Sequence, residues 1–397
     1  MHQKFGNILF ASLTIVVGIS CAGCSSVLQA TAHTGAALQR ATNPDTVSST
    51  SPIAPVQAPP VDGKASQLLT FLHFVPNQSA YREWLTYGDA EAWYTNWAIP
   101  RLQTLDELDT LEESARNRWL FTMATQTTPP RALGLQYMMQ EDLREIYGFG
   151  FFDTLRYMEA GQPPDLITVV EVDANFAQID ERLLELGYVV TERGEVAPEL
   201  EATLYELGDD YSINLQAPAR AGQLGELNRI ALIYHPASGK RYIILGRATA
   251  VVEAALAPWR RSATALADDP TYRAAVKAIF DPHLAQTGEL VGLIFLGEPN
   301  FSDPVALMLG ARATPEQIAR LRAQLADRPK LPPIRLAAFA TRHAPGATLL
   351  VLALVLPRGA PTEKVAALLS ERLENYVSAV HSPTARRILG CRGCIPT

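Results

Sequence analysis

E-L-V-G-L-I-F-L, residues 289–296, repeats the character of D-L-I-T-V-V-E-V, residues 165–172. Each is a short apolar run with turn-forming or polar neighbours, the pattern of a strand buried in a sheet. The segments downstream of the two runs are also alike. After the first come an amphipathic helix, 176–186, ended by Gly187, and short strands near 188–192 and 202–206. R-I-A-L-I-Y, 229–234, and R-Y-I-I-L-G, 241–246, then form a hairpin around H-P-A-S-G-K, and a helix covers 250–256. After the second run, Thr314-Pro315-Glu316-Gln317 starts a helix, 334–341 and 347–356 flank A-P-G as a hairpin, and a helix covers 361–377. Strand, helix, hairpin, helix thus occurs twice. The spacing predicts an α+β fold of two related lobes, residues 66–265 and 266–380. The run A-T-L-L-V-L-A-L-V-L, 347–356, is too short for a membrane helix, which needs about 20 residues. It reads as a strand buried on both faces.

The first lobe opens with Leu68, Leu69, Leu72 and Val75 at helical spacing, stopped by Pro76, and R-E-W-L-T-Y, 82–87, reads as a strand. Residues 90–160 read as a mainly helical insertion. Thr104 with Glu107 and Thr110 with Glu113 fit capping boxes, and 137–147 fits an amphipathic helix ending at Gly148.

Residues 1–23 are a separate object. Lys4 precedes the apolar run I-L-F-A-S-L-T-I-V-V-G-I-S, and Ala22-Gly23 lead into Cys24. A positive start, a short apolar region and small residues before the cleavage point describe a signal peptide. The cysteine placed at that point resembles the bacterial lipoprotein signal, in which cleavage leaves Cys24 to receive diacylglycerol and palmitate-class acyl chains. Cys21 stands where that signal usually carries Leu. Ser25 comes next, so the Asp that favours inner-membrane retention is absent. Residues 24–65, rich in Ala, Ser, Thr and Pro, have too few large apolar residues to offset ordering entropy. They read as a disordered linker holding the folded part roughly 35 Å from the lipid.

The 397-residue chain is 48% hydrophobic and 19% charged, ordinary for a globular protein. Its formal charge of −7, which becomes −8 once Lys4 is removed, and its lack of a basic cluster exclude a nucleic-acid partner.

Candidates for chemistry are few. None of the seven histidines pairs at a metal-ligand spacing, and neither H-E-x-x-H nor G-x-S-x-G occurs. P-A-S-G-K, 236–240, lacks the rest of a phosphate loop, and G-F-G, 148–150, lacks the third glycine of a dinucleotide site. No metal or cofactor is expected. The C-terminal tail, 381–397, carries Cys391 and Cys394 as C-R-G-C. Such a pair forms a local disulfide, stays as two thiols, or serves redox or metal chemistry; outside the cytoplasm the disulfide is favoured. Trp84, Trp93, Tyr94 and Trp97 either line a ligand groove or pack the helical section onto the sheet. Asp268 and Asp269 precede Pro270, and adjacent side chains diverge, so they do not make a metal site. Asp269 instead reads as the N-cap of a helix whose buried stripe is Tyr272, Ala275, Val276 and Ile279.

A-L-A-D-D-P-T-Y-R-A-A-V, 265–276, preceded by I-I-L-G-R-A-T-A-V-V-E-A-A-L, 243–256, resembles a bacterial lipoprotein family catalogued only as a domain of unknown function. L-T-Y-G-D, 85–89, and Y-G-F-G-F-F-D, 147–153, are similar to such envelope proteins too. The resemblance implies an extracytoplasmic location and no activity. The expectation is therefore a cell-envelope lipoprotein, not an enzyme, with a binding or scaffolding role and a membrane partner through Cys24. Its alternatives are a ligand-binding protein and a thiol-disulfide protein using Cys391 and Cys394.

Overall fold

A computed structural model describes residues 11–19, 30–34, 63–126, 129–134, 143–302, 314–326, 331–344 and 347–380. The fold is α+β, built on a sheet of twelve strands among these residues, all neighbours antiparallel. In chain order they are β1 (Ala11–Ile19), β2 (Ala30–Thr34), β3 (Trp84–Asp89), β4 (Thr154–Ala160), β5 (Ile167–Val172) and β6 (Val189–Ala197), followed by β7 (Leu200–Glu206), β8 (Arg229–His235), β9 (Lys240–Gly246), β10 (Glu289–Gly297), β11 (Leu336–Ala344) and β12 (Ala347–Leu356). Their spatial order is β2-β1-β12-β11-β10-β3-β4-β5-β9-β8-β7-β6.

The two similar apolar runs are β5 and β10, and they lie in opposite halves of this one sheet. The expected lobes therefore share a continuous sheet, and their connections differ: β5 pairs with β9, the second strand of its hairpin, whereas β10 pairs with β11, the first strand of its own. The join is β3 against β4. This corrects the expected bounds of the helical insertion. Its last residues, 154–160, are a central strand, so the excursion leaves the sheet at Asp89 and returns at Thr154 as the neighbouring strand. T-L-R-Y-M-E-A mixes charge with apolar residues because Arg156 and Glu159 both find partners in the fold, and this hid its strand character.

The front face carries α1 (Gly63–His73), α5 (Thr249–Leu256) and α6 (Pro270–Ile279). Phe71 of α1 packs edge-on against Tyr87 and Tyr242, with ring centroids 5.5 and 5.8 Å apart. The expected stripe of α6, Tyr272, Ala275, Val276 and Ile279, is buried in this core. Asp269 caps α6 as expected, its carboxylate accepting from the Thr271 N–H.

The back face has two separate cores. One is formed by α2 (Ala90–Asn96), α3 (Glu113–Gln126) and α4 (Phe176–Glu185) over the β4–β9 half. The other is formed by α8 (Thr362–Val380) over β11 and β12, with α7 (Pro315–Leu325) preceding β11 in the chain. The Thr314–Gln317 capping box at α7 is made. The one expected at Thr104 is not, because Glu107 accepts from the Gln103 N–H instead. Of the helix expected over 137–147, Leu143–Tyr147 is helical and 137–142 lie outside the described residues.

The apolar run expected to be the centre of a leader is β1, paired residue for residue with β12 from Ala11 opposite Leu356 to Ile19 opposite Thr348. Ala30–Thr34, expected to be disordered linker, pairs with β1. A short apolar run serves equally as the centre of a signal peptide or as a buried strand, and periodicity does not separate the two. Cys24, Cys391 and Cys394 lie outside the described residues. No helix among the described residues is long and apolar enough to cross a membrane.

Candidate functional site

Between the two back-face cores lies a groove of about 120 Å³, running across β3, β10 and β11. Its floor is bare backbone. Gly88 of β3 stands directly opposite Gly292 of β10, and no side chain rises from either. Trp93, Phe339 and Leu350 form the walls, with Thr86 and Thr341 beside the floor.

A β-bulge builds this arrangement. The β10–β11 register shifts between Leu290 and Gly292, so Val291 is the extra residue. Leu290 and Leu293 both join the front core, whereas Val291 joins the back core and Gly292 lines the groove. The bulge thereby turns two consecutive residues to the back. The Trp93 indole N–H donates to the Val291 carbonyl at 2.8 Å and fixes the irregularity. Bulges recur next to binding sites because they re-aim side chains in this way.

Tyr157 of β4 closes the groove over Gly88. A Cβ on Gly88 would lie 2.3 Å from Tyr157 Cε1 and 3.0 Å from a ring carbon of Trp93. The hydroxyl end of the tyrosine therefore rests where a side chain would otherwise stand. Tyr157 is 1% exposed, and its hydroxyl has no hydrogen-bond partner among the described residues. Burial, reinforced by the charge of Glu159, holds the phenol well above its ordinary titration range. It is an unused donor.

Of the four aromatics read as either lining a groove or packing the helical section onto the sheet, Trp93 alone lines this groove. Trp84 is 38% exposed and stands beside it, its indole N–H donating to Thr86 Oγ1. Trp97 packs against His343 with centroids 5.4 Å apart, and burial lowers the imidazole pKa there. Tyr94 is buried in the back core near Arg101 and lines no part of the groove. Sequence reasoning missed Tyr157, Gly292, Phe339 and Leu350. Gly292 inside an otherwise apolar strand was the one usable signal, since such a glycine marks a bulge.

Glu159, opposite Thr86 across the β3–β4 pair, is the most perturbed carboxylate nearby. Its Oε1 accepts from Arg131 N at 2.7 Å and Thr168 Oγ1 at 3.1 Å. Burial is the main cause pushing its pKa up to about 7, and the two hydrogen bonds oppose it.

Two other clusters stand apart. At one end of the front face Arg156 holds Asp89 at 3.2 Å, Glu171 at 3.3 Å and also Glu91, while Lys240 holds Glu171 at 3.1 Å. The two cations offset most of the charge of the three carboxylates where burial raises the Asp89 pKa, a structural network. A second cavity, about 650 Å³, is an open depression lined by His73, Glu199, Trp259, Arg261 and Asp268. Asp268 faces it and pairs with Arg273 at 3.3 Å, whereas Asp269 turns to its cap, so the two adjacent acids diverge as expected. Among the described residues no group of three or more His, Cys, Asp or Glu side chains is placed to hold a metal.

Comparison with protein-family models, with curated proteins and with solved structures finds no match.

Proposed function

We propose that this chain is a cell-envelope lipoprotein, anchored through Cys24, whose folded part binds a small apolar ligand in the back-face groove without chemical conversion. The observation that carries the binding reading is the Tyr157 hydroxyl, buried with no partner among the described residues at a floor made of two glycines. A buried polar group left unpaired costs about 1–3 kcal/mol, and an acceptor brought by a ligand removes that cost. The groove volume of about 120 Å³ suits one ring or a short branched chain. An enclosed apolar cavity of about 150 Å³ holds benzene, so this smaller, open groove takes a ring with part of the ligand left outside it. The ligand class is therefore an apolar body carrying one acceptor oxygen, such as an aryl or alkyl ketone or ester.

Acetophenone and ethylbenzene, which differ in one carbonyl oxygen, test this by titration calorimetry with Trp93 fluorescence. The ketone binds more tightly to the parent protein, and Tyr157→Phe abolishes that preference while leaving ethylbenzene binding in place. Equal binding of both compounds to the parent, or none of either, overturns the reading.

A further inference from the structure

We infer that the mature protein forms a two-fold dimer in which β12 of one copy pairs antiparallel with β12 of another, centred on Leu352. The inference rests on the reading of residues 1–23 as a leader that is removed. Removing the leader takes away β1, which occupies β12 from Thr348 to Leu356. What remains is an apolar strand with a full row of unpaired backbone groups, and such an edge recruits another strand unless it is covered.

The sequence of that edge complements itself. The stretch vacated by β1 has Leu352 at its midpoint. Pairing two copies about Leu352 sets Leu350 opposite Leu354, Val351 opposite Ala353 and Leu349 opposite Val355. Odd residues meet odd residues, so both faces are preserved; a one-residue slip would exchange them. Val351, Ala353 and Val355 belong to the front core, and Leu354 and Leu356 to the back core beneath α8. Each face of the joined sheet therefore continues apolar across the two-fold.

The helices permit the approach. On the front, α6 reaches the β12 end at Leu349: Arg342, the residue opposite Leu349, donates through Nη1 to the Ile279 carbonyl at 3.1 Å. On the back, Val365 and Ala366 of α8 pack at the other end, near Leu354 and Leu356. A two-fold about Leu352 sends the second copy's α6 and α8 to the opposite ends of the strand pair, so like helices do not meet. α8 also extends past β12 over β1 and β2, and a second copy's β12 would occupy that sheltered position. Leu350, 37% exposed, would lie beneath the second copy's α8.

The test uses full-length protein expressed in a bacterial envelope and purified in detergent, with Cys391→Ser and Cys394→Ser to remove other thiols. Intact mass first reports whether residues 1–23 are absent. Light scattering of this protein then gives a dimer mass, and Leu352→Cys gives an interchain disulfide on mild oxidation. Leu350→Cys does not, because two such cysteines stand about 13 Å apart along the strands. A monomer lacking the leader overturns the dimer and leaves the lipoprotein reading intact; the chain's own residues 30–34 covering the edge would give this result. Equal crosslinking at both positions overturns the register. Retention of residues 1–23 overturns the lipoprotein reading and the dimer together, and the mass separates this case from the others.

Discussion

Asp269 holds Arg82 at 3.0 Å with one carboxylate oxygen while the other accepts from Thr271 N at 2.7 Å. Asn77 Nδ2 reaches the same oxygen as Arg82, at 3.3 Å, and Arg82 also donates to Asn77. One side chain therefore starts α6 and ties it to the segment leading into β3. An N-cap alone contributes about 1 kcal/mol. The Asp269 carboxylate is buried but the Arg82 side chain is 40% exposed, so screening leaves the pair worth on the order of another 1 kcal/mol. We expect Asp269→Ala to lower stability by about 2 kcal/mol in urea unfolding. Asp269→Asn, which keeps the cap acceptor, should cost about half of that. Asp268→Ala, at an exposed pair with Arg273, should stay within about 0.5 kcal/mol.

The two floor glycines respond oppositely to a methyl group. At Gly88 a Cβ meets the fully buried Tyr157 ring, which cannot withdraw, so Gly88→Ala should cost about 1–3 kcal/mol by overpacking. At Gly292 the nearest atom to a Cβ is a backbone oxygen 3.7 Å away, so Gly292→Ala should change stability by less than about 0.5 kcal/mol. Gly292→Val then projects into the groove and should abolish acetophenone binding at a nearly unchanged melting temperature. Retained binding in that variant would place the ligand elsewhere.

Glu159 titrates at about 7 in the folded chain against an ordinary value of 4.5. Between those values the folded state holds more protons than the unfolded one, so stability falls as pH rises through this window and levels off above it. The loss is on the order of 3 kcal/mol. Glu159→Gln keeps the acceptor for Arg131 N and Thr168 and replaces the protonated oxygen with an amide. It should match the parent near pH 4.5, exceed it at pH 8, and show a flatter profile in between. Parallel profiles from denaturant titrations at several pH values would show that the carboxyl is ionised throughout.

Cys24→Ala should move the protein from the detergent phase to the aqueous phase when cell membranes are partitioned. A mutant that stays in the detergent phase as the parent does would exclude lipid attachment at Cys24 as the anchor.

The α+β class, the strands β5, β8–β9, β10 and β11–β12, and the cap and buried stripe of α6 were all legible in the amino-acid sequence. Each is a local pattern in which propensity and burial agree: a continuous apolar run, a hairpin turn, or Asp269 before Pro270. That β5 and β10 share one sheet was not legible, because pairing partners far apart in the chain leave no periodic trace. T-L-R-Y-M-E-A passed as helical because its charges are matched only in three dimensions, Arg156 by Asp89 and Glu171, and Glu159 by Arg131 and Thr168. The groove showed in the sequence only through Trp93. Gly88 and Gly292 are distant glycines until β3 and β10 pair, and Tyr157 is one more apolar position until its ring settles over Gly88. Local chemistry limits which segments can be strands, whereas their assembly into one sheet decides which backbone is left uncovered and which hydroxyl finds no partner among the described residues.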